Sequence, residues 1–225
     1  MAAAAAGPRH HAINLSFPKL EVVHENPPIY QVDDLLTPEE CKWLIDRSAP
    51  LLERAPVVKL AGDSAAARES SGAVESRTSR TCFLSRDSCT ELLTRVCELT
   101  NKTVDCCELV QVGQYLPGQF YRPHYDSVDP HTDLGREFIS NGGQRTITVL
   151  MYLNDVAKGG GTYFDRLGLR VRPKRGRAVI FFPSFLDGEL DTQALHCAED
   201  AVDEKWVSQI WIRETTRRPG QPSDV

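Results

Sequence analysis

Two possible metal donors stand one residue apart in QFYRPHYDSVDP, residues 119–130: His124 and Asp126. On an extended chain, side chains at i and i+2 share a face, so the imidazole and the carboxylate converge while Tyr125 points away. Alone, such a pair reads first as a histidine bonded to a carboxylate, and a third ligand has to decide. Of the six histidines, His10, His11 and His24 lie in or near the N-terminal tail. His131, in the polar DPHTDLG, reads as a solvated loop residue. His196, in TQALHCAED, sits in a short apolar run that a closed sheet could bring beside the first pair, although a buried core histidine is the competing reading. Two histidines and one carboxylate leave three positions open in an octahedral field, the pattern of non-haem Fe(II) oxygenases. A structural zinc would be closed by a fourth protein ligand, commonly cysteine, and Cys197 faces away from His196 on an extended chain.

The elements that must position these residues fall into two groups. PPIYQVDDLLTPEECKWLIDRSAPLLE holds a short strand-like run and then a helix start, with Thr37 as N-cap, Pro38 first and Glu40 closing a capping box; Cys41, Leu44 and Ile45 form its buried stripe. A second helix is expected from Asp87 or Ser88, with Glu91 completing a box and Leu92, Leu93, Val96 and Leu99 at helical spacing. From residue 108 onward the pattern changes to short strands: ELVQVGQYL, QFYRPHYD, RTITVLMYL, GTYF, LRVRP, RAVIFF, ALHCA and KWVSQIWIR, with no helical pattern between them. Scaffold helices followed by such strands indicate a mainly β sandwich or barrel with flanking helices. KGGGTYF lacks the lysine and following helix of a phosphate loop and reads as a tight turn.

At 225 residues, 41% hydrophobic and 25% charged, the chain suits one core. A net charge of −5 argues against nucleic acid as a partner, and no apolar run approaches the roughly 20 residues of a membrane span. The seven cysteines form no regular framework, so free thiols in a reducing, cytoplasmic setting are expected.

Several segments together are similar to the catalytic domain of the prolyl 4-hydroxylases: YLPGQFYRPHYD, GGQRTITVLMYLNDVAKGGGTYF, PKRGRAVIFF and ALHCAEDAVDEKWVSQIWIRE, with ESRTSRTCFL upstream. The resemblance, to the compact algal, plant or microbial type, covers roughly residues 28–214. It implies a double-stranded β-helix, or jelly roll, and Fe(II) held by His124, Asp126 and His196. It also implies 2-oxoglutarate as cosubstrate and ascorbate as reductant. Lys205 and Tyr115 match the family's contacts to the far carboxylate of 2-oxoglutarate. Arg145 and Trp211 match substrate-contacting positions, and residues 60–80 a lid from which Arg77 would help cover the proline ring. The implied reaction is hydroxylation at C4 of a prolyl residue in a peptide or protein, with succinate and carbon dioxide as co-products. Oxidation of a free amino acid or another side chain, or a non-catalytic metal-binding module, are the alternatives.

One departure concerns the cosubstrate. Relatives commonly carry a proline–valine pair after the distal histidine and a ten-residue step to the lysine. HCAEDAVDEK has no such pair and a nine-residue step, which leaves Arg213 as the alternative cation on the same strand. The expected organisation is a disordered tail over residues 1–12, one dioxygenase domain over 13–215 and a C-terminal tail over 216–225, in a monomer.

Overall fold

The computed structural model describes residues 9–55 and 76–217. In chain order the elements are β1 (Leu20–Glu25), β2 (Pro28–Val32), α1 (Pro38–Ser48), β3 (Glu53–Arg54), β4 (Arg80–Leu84), α2 (Thr90–Thr100), β5 (Val110–Tyr115) and β6 (Tyr121–His124). There follow α3 (Asp133–Ile139), β7 (Arg145–Tyr152), β8 (Thr162–Phe164), β9 (Leu169–Val171), β10 (Ala178–Phe181), β11 (His196–Ala198) and β12 (Lys205–Arg213). They form an eight-stranded sheet, ordered β1-β2-β10-β7-β12-β5-β4-β3, and a four-stranded sheet, ordered β6-β11-β8-β9. Strand pairing is antiparallel throughout, as in a jelly roll.

Strand alternation divides the large sheet into two differently used faces. Val110, Val112, Ile147, Val149, Met151, Ile180, Ile210 and Ile212 share one apolar cluster with Leu44 of α1 and Leu92, Leu93, Val96 and Leu99 of α2. The residues between them, including Tyr115, Leu150, Tyr152, Val179, Phe181 and Val207, pack with Phe164 and Val171 of the small sheet. The helices therefore cover the outer face of the large sheet, and its inner face packs on the small sheet.

α1 begins as its sequence dictates. Thr37 Oγ1 accepts from the Glu40 amide at 3.1 Å, and the Glu40 carboxylate accepts from the Thr37 amide at 2.8 Å. Arg95 of α2 then forks onto Glu40 at 2.9 and 3.0 Å and donates to Leu35 O at 2.7 Å, pinning the two helices together. α2 lacks the expected box. Asp87–Cys89 is a single 3-10 turn, and the Ser88 hydroxyl donates back to Ser85 O at 2.8 Å, so the α-helix starts at Thr90 without a side-chain cap.

Each of the eight strands expected after residue 108 is present. The seven-residue α3 interrupts them, capped by Thr132, whose Oγ1 accepts from the Gly135 amide at 2.9 Å. Glycine is required there, because a Cβ would lie 1.8 Å from Asp129 O. The disordered tail over 1–12 is corrected for residues 9–12. Arg9 O accepts from Leu186 N at 2.8 Å, and His10 is buried, drawn in by aromatic partners 170 or more residues away. At the other end, Arg217 is buried and its amide donates to Asp105 O at 3.0 Å, so Arg217 belongs to the fold; residues 218–225 lie outside the described residues. Most of the 60–80 segment lies outside the described residues; of its remainder, Arg77 bridges to Tyr121 and Arg80 opens β4.

All seven cysteines are free thiols. Five are buried, and burial pushes the Cys41 thiol up to about 11. No helix among the described residues is long and apolar enough to cross a membrane.

Candidate active site

β6 and β11 set His124 and His196 directly opposite each other, which puts both imidazoles on one face with ring centroids 4.3 Å apart. Asp126 joins them from just beyond the end of β6, not from a strand position: β6 stops at His124 and the chain bends, so the carboxylate is presented from a turn. His124 Nε2 lies 3.8 Å from Asp126 Oδ1, and His196 Nε2 lies 3.7 Å from Asp126 Oδ2. One donor atom from each of the three falls within 4.8 Å of the others.

Backbone contacts fix the state of both rings. His124 Nδ1 faces Arg122 O at 2.9 Å and His196 Nδ1 faces Ala194 O at 3.0 Å. A carbonyl can only accept, so each Nδ1 carries a proton, and the tautomer this selects for the neutral ring turns the Nε2 lone pair to the common centre. Burial pushes His124 down to about 3, and the neighbouring His196 adds to the shift, so the ring is neutral and able to coordinate. Burial alone would raise the Asp126 carboxyl; His196, His124, Arg145 and the Thr148 hydrogen bond outweigh it and hold the group below its ordinary value. Asp126 Oδ2 accepts from Thr148 Oγ1 at 2.8 Å and from Gln209 Nε2 at 3.3 Å. Two imidazole nitrogens and one oriented carboxylate fit a divalent, oxygen-activating ion and leave positions for exogenous ligands.

Lys205 and Tyr115 are register partners on β12 and β5, and the Lys205 ammonium sits 4.9 Å from the Tyr115 ring centroid. Lys205 is only 1% exposed, and no carboxylate among the described residues forms an ion pair with it. Burial therefore pushes it down to about 7. A buried lysine without a counter-ion fits a carboxylate ligand. Lys205 shares a face of β12 with Gln209, roughly 13 Å along the strand from it, so the lysine lies on the same sheet face as the residue that bonds Asp126. Arg213 cannot replace Lys205. Its guanidinium donates to Glu108 Oε1 at 2.6 Å, Phe138 O at 3.0 Å and Gly143 O at 2.8 Å, at the opposite end of the strand. The nine-residue step from His196 is taken up by a tight loop in which Gly159 and Ala201 bridge, and Lys205 still points inward.

Arg145, Trp211 and Arg77 gather beside the triad. The Arg145 guanidinium stacks 3.8 Å from the Trp211 ring, donates to Asp126 O at 3.3 Å and forks onto Glu108 at 2.8 and 2.7 Å. The buried Trp211 Nε1 has no hydrogen-bond partner among the described residues. Arg77 is held by Ser79 at 2.8 Å and Gln111 at 3.2 Å, with its guanidinium 4.6 Å over the Tyr121 ring. That ring in turn stacks on His124, centroids 3.5 Å apart and 16° from parallel. Every residue expected at the site is thus in one contiguous region.

The sequence reading missed four members: Glu108, Tyr121, Thr148 and Gln209. Gln209 had a signal, since it alternates with Lys205 and Trp211 on one strand face. Buried Glu108 joins Arg145 to Arg213, and the arginines hold its carboxyl low against the opposing effect of burial. Glu108→Gln leaves two guanidiniums without their anion and should lower stability by about 3–5 kcal/mol. Chemical denaturation would measure this, and an unchanged midpoint would show that the arginines do not depend on Glu108.

The fold and the triad define a 2-oxoglutarate- and Fe(II)-dependent oxygenase, and residues 110–213 match the model of the 2OG-Fe(II) oxygenase superfamily. The chain is 33% identical over 213 residues to prolyl 4-hydroxylase 1 of Arabidopsis thaliana, an alignment covering 87% of this chain and 72% of the plant protein. It therefore belongs to the prolyl 4-hydroxylase family. It is also 31% identical over 232 residues to the human prolyl 4-hydroxylase subunit alpha-1, covering 97% of this chain but 41% of that subunit. Among solved structures, the viral collagen prolyl hydroxylase of Paramecium Bursaria Chlorella virus-1, in its 2OG complex, superposes with a TM-score of 0.62 at 25% identity, covering 82% of this chain and 95% of the viral one.

Proposed function

We propose that this chain hydroxylates prolyl residues at the 4-position in a peptide or protein, using Fe(II) and 2-oxoglutarate with ascorbate as reductant. The observation that carries the proposal is the pairing of two features on the inner side of the large sheet: a three-donor centre, and a buried lysine with no ion-pair partner among the described residues. His124, Asp126 and His196 would hold the metal, while Lys205, with Tyr115 beside it, would hold the far carboxylate of 2-oxoglutarate. With dioxygen, the bound pair supplies oxidative decarboxylation to succinate and carbon dioxide, coupled to hydroxylation of an unactivated C–H bond.

The chain's own residues then have distinct tasks. Thr148 and Gln209 hold the Asp126 carboxylate in one orientation. The carbonyls of Arg122 and Ala194 fix the tautomers of the two ligand histidines. Arg145, Trp211, Tyr121 and Arg77 offer an aromatic and cationic wall next to the triad, suited to a proline ring and its flanking amides. We assign the described residues 9–55 and 76–217 to one catalytic domain, in a cytoplasmic monomer with neither nucleic acid nor membrane as a partner.

The test is mass spectrometry of proline-rich peptides incubated with the protein, Fe(II), 2-oxoglutarate and ascorbate. Gain of one oxygen on proline supports the proposal. Succinate without peptide modification moves the activity to a free amino acid or another side chain, and no succinate at all means a non-catalytic module.

A further inference from the structure

We infer that His10 is a positioning residue for the distal metal ligand His196, and that residues 9–13 form a clasp without which the metal is held less tightly; the inference rests on the metal-centre reading above. The His10 ring is buried between Phe182 and Phe185, with centroids 5.5 and 4.8 Å away. Its Nε2 meets Asp191 Oδ2 at 2.9 Å. Asp191 is itself 1% exposed, and its other oxygen accepts from the Gln193 amide at 2.9 Å, capping the 3-10 turn Thr192–Ala194. The main chain of Asp191 fastens the same turn, donating to Pro183 O and accepting from Ala194 N, both at 3.0 Å. Ala194 O receives the Nδ1 proton of His196. Four contacts therefore lead from the N-terminal segment to the tautomer and aim of one metal ligand.

Removing the His10 imidazole would leave a buried carboxylate oxygen without a donor. Asp191 must then turn or admit water, and the turn it caps loosens with it. The clasp has other anchors that keep it in register: Arg9 O accepts from Leu186 N at 2.8 Å, the Arg9 guanidinium lies 3.7 Å over the Phe185 ring, and Ile13 is buried in the core. His124 and Asp126 hang from β6 and the turn after it on supports of their own, so the consequence is confined to His196.

The experiment is anaerobic Co(II) titration of the full chain, without cosubstrate, followed through the visible ligand-field bands. His10→Ala should raise the Co(II) Kd roughly tenfold, the low end of what loss of an outer partner costs a metal site. His10→Gln, whose amide can still donate to Asp191, should recover most of it, and Asp191→Asn should shift Kd in the same direction as His10→Ala. Ile13→Ala, in the same segment but without a bond to Asp191, should lower Tm and leave Kd in place. A His10→Ala Kd within about twofold of the parent, or an equal shift from Ile13→Ala, overturns the inference. Failure of the parent to bind Co(II) would overturn the metal centre itself.

Discussion

Asp126→Ala should abolish hydroxylation and weaken metal binding by more than about 100-fold, beyond the 10–100-fold that loss of a supporting partner costs. Asp126 is the anionic member of the donor set, and what remains is two neutral imidazoles that cannot by themselves offset the ion's charge. The loss spreads one step further, because Thr148 Oγ1 and Gln209 Nε2 both donate to the oxygen that is removed. Co(II) titration and succinate formation read the two effects separately. Near-parental affinity in the variant would mean that the metal is held elsewhere.

Lys205→Met is expected to do two opposite things. It should cut 2-oxoglutarate affinity by about 100-fold or more, as loss of one member of a buried charge pair does, and it should stabilise the ligand-free protein. The second effect follows from the proton balance. Burial lowers the folded-state value to about 7, whereas an unfolded lysine titrates near about 10.4. Between those values the unfolded chain binds the proton that the folded protein has released, so ligand-free stability rises with pH across that window, by at most about 1.4 kcal/mol per pH unit. Below about pH 7 both states are protonated and the penalty of the buried ammonium is carried in full. 2-Oxoglutarate, by supplying the missing carboxylate, should flatten the slope, and Lys205→Met should remove it. Thermal midpoints across pH, with and without cosubstrate, and calorimetry of 2-oxoglutarate binding make the measurement. An unaltered slope in the methionine variant would assign it to another group.

Local sequence made the recognisable parts recognisable. α1 was legible because Thr37, Pro38 and Glu40 are neighbours whose chemistry is complete within one turn. The strands were legible because each is bounded by turn residues, and His124 and Asp126 because their spacing is local. What stayed hidden depends on partners far apart in the chain. Thr148 reaches Asp126 across 22 residues, Arg145 reaches Glu108 across 37, and Gln209 reaches Asp126 across 83. His10 is the extreme case, since its role rests on a contact across 181 residues and nothing in an alanine-rich, histidine-bearing tail announces it. α3 was missed for a different reason: seven residues with one glycine give too short a pattern to distinguish from a loop. Strand alternation also gave the right convergence of His124 and Asp126 for a wrong reason, because the backbone leaves the strand between them.

The unlinked cysteines bear on how such a catalyst coexists with its own chemistry. No covalent cross-link joins the helices to the sheets, so a reducing milieu, including one rich in the ascorbate proposed to serve turnover, has no bond in this fold to break. Conditions that keep iron ferrous and conditions that keep the chain folded are the same conditions here, and strong reductant in storage or assay carries no penalty in folding stability.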